Sequence, residues 1–135
     1  MCIRTGVESI ANVDFVAYKV VEEKDGEYYN IFHSVQHITK DGIVFSLKIP
    51  EIIPERYNDY CNGCGYSLFL TFDEAQNYLY EVKQNGLIRH RKLIIIEVIV
   101  PENTRYSTGK IKEGYIGQGL RAIRAEIFKI PNKEE

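Results

Sequence analysis

Tryptophan is absent from this chain of 135 residues, and methionine occurs once. Three cysteines, Cys2, Cys61 and Cys64, are an odd number in a sequence whose first residues, MCIRTGVESIANVDF, lack the continuous apolar stretch of an export signal. A disulfide framework is therefore not expected, and the thiols are expected to be reduced in a cytoplasmic protein. No apolar run approaches the roughly 20 residues that cross a bilayer, which predicts no membrane partner. The net charge is only −2, which argues against extended nucleic acid as the main ligand, because phosphate tracking needs a broad basic surface.

What is present suffices for one packed core: 44% of residues are hydrophobic and 12% aromatic, in a length near the mode for one domain. We expect a single domain spanning residues 1–135. The charge is unevenly placed. Residues 1–86 carry seven Lys/Arg against thirteen Asp/Glu, whereas residues 87–129 carry nine against four. This asymmetry points to an anionic ligand on the C-terminal part, to pairing between the two halves of the fold, or to a solvated face.

FVAYKVV at 15–21, Asp25-Gly26 and EYYNIF read as strand, turn and strand. A second Asp-Gly at 41–42 separates VQHIT from the alternating IVFSLKI, suggesting another hairpin. Pro50 and Pro54 bracket EIIPERYNDYCNGCG, a long irregular connection. TFDEAQNYLYEVKQNG gives a helix at about 72–85: Thr71 and Glu74 form a capping box, Gly86 stands where a C-terminal cap belongs, and Ala75, Tyr78, Leu79 and Val82 share one face. LIIIEVIV at 93–100 predicts a central strand buried on two sides, ended by Pro101. TRYSTGKIKEGYIGQG is polar and glycine-rich, and LRAIRAEIFKIP supplies a final strand or a short helix running into one. The fold class expected is α+β, mainly antiparallel twisted sheet with one principal helix.

Three constellations could carry chemistry. Cys61-Asn-Gly-Cys64 has the spacing of a zinc half-site, and His33 with His37 could complete four ligands, but in a strand those rings would lie roughly 13 Å apart. The alternative is that Asn62-Gly63 simply turns the chain. In the stretch from Ser107 to Arg121, glycines let backbone N–H groups approach an anion, while Lys110, Lys112 and Arg121, with Arg124 beyond, could neutralise it. Ten tyrosines supply rings with polar tips, Tyr106 and Tyr115 lying nearest these cations. No nucleophile, base and acid trio of the hydrolase kind is visible, so binding without catalysis is expected, with no cofactor.

Taken together, YKVVEEKDGEYYNIF, GYSLFLTFDEAQNYL and LIIIEVIVPENTRYSTG resemble a loose group of small uncharacterised proteins encoded by phages and prophages. The resemblance implies a viral or mobile-element origin. Proteins of this sort often counter bacterial immunity by sequestering a nucleotide second messenger, or block a host defence protein by shape, in some cases as homo-oligomers. A second resemblance is to the ADP-ribosyltransferase fold, in which an early strand opens the NAD site, a Gly-aromatic-Phe strand leads into a helix, and a late strand carries the catalytic glutamate. Tyr18-Lys19, Gly65 to Tyr78, and either Glu97 or Glu126 fall at those places, with Lys19 where Arg or His is expected. That likeness implies NAD as a cofactor and Glu97 or Glu126 as the catalytic acid, Glu97 being otherwise a strand-face acid paired with Lys92 or Arg105.

Overall fold

Among the described residues the chain folds into two antiparallel sheets and one helix. The computed structural model describes residues 3–29, 31, 37–38, 59–60, 66–84, 90–111 and 116–131. The strands are β1 (Ile3–Ile10), β2 (Phe15–Lys24), β3 (Glu27–Tyr29), β4 (His37–Ile38), β5 (Asp59–Tyr60), β6 (Tyr66–Leu68), β7 (Leu93–Val100), β8 (Arg105–Ile111) and β9 (Arg121–Ala125), with α1 (Phe72–Lys83) between β6 and β7. The first sheet has the order β5-β1-β8-β9-β6, and the second β4-β3-β2-β7. The class is α+β, as expected.

Local chemistry accounts for most of these elements. Asp25 and Gly26 have φ of 54° and 78°, the left-handed pair that a tight β2–β3 hairpin requires. Thr71 Oγ1 accepts a hydrogen bond from the Glu74 N–H at 3.2 Å, the N-cap bond expected, and donates to Glu74 Oε1 at 2.9 Å, so the carboxylate meets the hydroxyl rather than the Thr71 N–H of a full capping box. The helix stops at Lys83 with Gln84 as its cap. Gly86 lies outside the described residues, as do the proposed turn at 41–42 and most of the proline-bracketed stretch, in which Asp59 and Tyr60 nonetheless form β5.

Two short seams join the sheets. Tyr18 N–H donates to Phe69 O at 2.7 Å and Phe69 N–H to Tyr18 O at 2.8 Å, tying the end of β6 to β2. The chain beyond β9 is tied to β7 in the same way, Ile99 N–H to Lys129 O at 2.8 Å and Lys129 N–H to Ile99 O at 2.9 Å. The inner faces then meet around Ala17, Val21, Ile96, Val98, Val100, Leu68, Ile123 and Ala125, with Phe128 fully buried among them. A second core lies under α1, where Ala75, Tyr78 and Val82 pack on Val20, Leu93, Phe69, Ile111 and Ala122.

Two expectations need correction. β7 is buried on its inner face only; on the other, Glu97 is exposed and Ile95 and Ile99 are half-buried, because α1 covers just the Leu93 end. Residues 105–111, read as part of a glycine-rich connection, form a central strand between β1 and β9, with Ser107 fully buried. Serine, threonine and glycine there hide the alternation that apolar side chains would have displayed.

Gly117 explains part of the glycine pattern. A Cβ at that position would lie 2.6 Å from Tyr78 Cδ1 and 2.8 Å from Ile111 Cδ1, and its φ is +85°. Gly119 has a similar φ, +84°, but faces open space. Gly117→Ala should therefore lose about 3 kcal/mol from strain plus overpacking, and Gly119→Ala only about 1 kcal/mol. Urea denaturation of the two variants checks this; equal losses would show that the contact with Tyr78 contributes nothing.

Candidate functional site

Strand register decides which of the cations can act together. Lys110 of β8 stands directly opposite Arg121 of β9, and both are exposed. On its other side Lys110 is opposite Arg4 of β1, which in turn is opposite Asp59 of β5. One row across four strands thus reads Asp59, Arg4, Lys110, Arg121. Like charges directly opposed across a ladder destabilise it unless a counter-ion is shared. At the turn end of the β8–β9 hairpin, Lys110 and Arg121 therefore form an exposed pair of like charges.

The other residues singled out in the sequence fall elsewhere. Arg124 is three positions from Arg121 and so projects from the opposite face; it is buried, aligned between Ser67 of β6 and Ser107 of β8. Tyr106 shares a face with Lys110 but lies four residues away, roughly 13 Å along the strand. Its ring packs edge-on against Phe15 with centroids 5.2 Å apart, at the rim of the inner core. In the turn, Gly119 N–H donates to Ile111 O at 3.0 Å and Leu120 N–H to Gly117 O at 2.9 Å, so these two donors already have partners. Lys112 and Tyr115 lie outside the described residues.

A second cationic centre sits at the seam between the sheets. Lys19 shares the inward face of β2 with Ala17 and Val21, and 6% of it is exposed. Its Nζ donates to Ser67 O at 3.2 Å and lies 5.8 Å from the centre of the Phe128 ring. Burial, and secondarily the charge of Arg124, lower its pKa to about 7. The amine can therefore change charge near neutral pH, which a surface lysine cannot do. Close by in register, Ser107 Oγ is buried with no hydrogen-bond partner among the described residues. The parity of Ala17, Lys19 and Val21 in FVAYKVV was the available signal for an inward lysine.

The carboxylates are separated. Glu97 stands opposite Tyr18 on the face of the second sheet away from Lys19, and it is exposed. Neither cation named for it in the sequence reaches it: Lys92 Nζ bonds Glu23 Oε1 at 2.7 Å, and Arg105 lies 3.8 Å from Glu126 Oε1. The cysteine and histidine constellation is not described in the structure, since Cys61, Cys64 and His33 fall outside the described residues and only the backbone of His37 is placed, in β4. Among the described residues no group of three or more His, Cys, Asp or Glu side chains could hold a metal ion, and no helix is long and apolar enough to cross a membrane.

Lys19 gives the site a pH signature. A lysine whose pKa falls from 10.5 in the unfolded chain to about 7 in the folded one binds fewer protons when folded throughout that interval. Its penalty is fully present below about pH 7 and is relieved as pH rises, so stability increases with pH over the window. Relative to Lys19→Met, in which other titrations cancel, the parent should gain up to about 1.4 kcal/mol per pH unit between pH 7 and 10. Denaturant titrations at several pH values measure the difference; parallel curves would refute a buried, depressed Lys19.

Comparison of the chain with protein-family models, with curated proteins and with solved structures finds no match to any of them.

Proposed function

We propose that the protein is a non-enzymatic binder of a small anionic, nucleotide-like ligand, held at the turn end of the β8–β9 hairpin. The observation that carries this reading is the direct opposition of two exposed cations, Lys110 and Arg121, with Arg4 next in the same row. A phosphate bridging them would turn a repulsive pair into two charge-assisted hydrogen-bonding contacts. Sequestration of a nucleotide messenger by a phage-type counter-defence protein is the role consistent with such a site and with the resemblance of the chain. Isothermal titration against cyclic and linear nucleotides and ADP-ribose should give one ligand with micromolar affinity, weakened by about tenfold or more in Arg121→Glu. Binding no tighter than millimolar across the panel, or an unaffected variant, would sink the proposal.

A second reading, a degenerate ADP-ribosyltransferase-like enzyme using NAD, is favoured by one observation. The Tyr18–Phe69 seam and the Lys19 to Ser67 hydrogen bond bring together the two segments in which the sequence resembles that family, though with Lys19 where Arg or His is expected. In this case the protein should hydrolyse NAD, and Glu97→Gln or Glu126→Gln should abolish the activity. An inert parent excludes it.

A further inference from the structure

We propose that the part of the second sheet's outer face left open by α1 docks a protein segment carrying apolar side chains flanked by lysine or arginine. The helix covers Val20, Leu93 and Ile95 and stops short of the opposite end of β2 and β7. There Val16 is 42% exposed and stands opposite the half-buried Ile99. Tyr18 follows on the same face, its ring 5.9 Å from that of Phe72, which is 48% exposed at the first position of α1. Leu70, 42% exposed, lies between the seam residue Phe69 and the helix cap Thr71. These side chains come from adjacent positions in three elements, unlike the singly scattered exposed apolar residues of an ordinary surface.

Charge identifies the partner. Glu97 stands on this face between Ile95 and Ile99, opposite Tyr18. Among the described residues no side chain pairs with its exposed carboxylate, so an occupant that covers it must bring a cation or leave a buried charge without compensation. The rim has the same sign. Asp73 and Glu74 form the acidic first turn beside Phe72, and Asp14, two residues before Val16, accepts the Glu102 N–H at 2.7 Å. The cation bordering the patch among the described residues is Lys129, bridged to Ile99. An anionic lipid surface would be repelled, and a two-fold-related second copy would set these acids against one another. A basic, amphipathic segment satisfies both the apolar and the charged groups. This surface is separate from the Lys110–Arg121 row, so neither proposal depends on the other.

A synthetic peptide of alternating leucine and lysine, with an otherwise identical leucine–glutamate peptide as control, tests the inference by fluorescence anisotropy at near-physiological salt. The lysine peptide should bind, and the glutamate peptide should not. Val16→Ser with Phe72→Ser, and separately Glu97→Lys, should each weaken binding by about tenfold or more. Glu81→Lys, at the far end of α1, should leave the affinity unchanged, and unchanged thermal unfolding midpoints confirm that the variants fold. Equal binding by both peptides, or patch variants that behave like Glu81→Lys, would overturn the proposal. So would concentration-dependent self-association in sedimentation that Val16→Ser abolishes, since the occupant would then be a second copy of the chain.

Discussion

The pair of backbone hydrogen bonds between Tyr18 and Phe69 is the constraint on which the remaining structure rests. A strand has two edges, and β2 gives one to β7 and the other, beyond β3, to this two-bond contact. At that point the first sheet turns onto the second, and the residues on either side are sent to different cores: Leu68 inward to Val98 and Phe128, Phe69 outward to Tyr78. Lys19 follows directly after the seam and so is carried inward with Ala17 and Val21. Its burial is a consequence of parity, and Ser67 O, placed by the same seam, supplies the acceptor that makes the burial tolerable.

The cations of the C-terminal half consequently divide between two dielectric environments. Lys110 and Arg121 are exposed beside the turn of the β8–β9 hairpin, where water screens them. Arg124, on the same strand as Arg121, is buried, and its field contributes to the depressed pKa of Lys19. One strand thus carries an exposed cation on one face and, on the other, a buried cation that tunes Lys19. The chain's charge asymmetry, so plain in the sequence, does not by itself distinguish these roles.

Elements determined by neighbouring residues were legible beforehand. The Asp25-Gly26 turn, the Thr71–Glu74 cap and the apolar face of α1 all depend on contacts within a few positions, and each stands where the sequence implies. β1 was not anticipated, because IRTGVESI contains polar residues on both parities and acquires its strand character from pairing with β8. β8 itself reads as a loop in sequence for a related reason: Ser107 and Gly109, opposite Arg124 and Ala122, display no hydrophobic alternation. Of the proposed ligand contacts, Lys110 and Arg121 come together through a hairpin, whereas Arg124 is separated from them by a parity that could have been counted but not assigned to a face. Gly117 reads as a loop residue in sequence and proves to be a packing residue against Tyr78, a relation across 39 positions that no local signal carries.

The pairing of β1 with β8 has a kinetic side. Ile3 stands opposite Ile111, so β1 has no neighbour on that edge until the chain has been made as far as β8. Closing so large a loop costs chain entropy that local hydrogen bonds cannot recover early, which places this pairing late in folding. The β2–β3 hairpin and α1, built from close neighbours, are the natural first structures, with β2–β7 next as the first long-range commitment. Until β8 arrives, β1 is an unprotected edge strand, and intermediates lacking that contact are the species in which intermolecular strand pairing would begin.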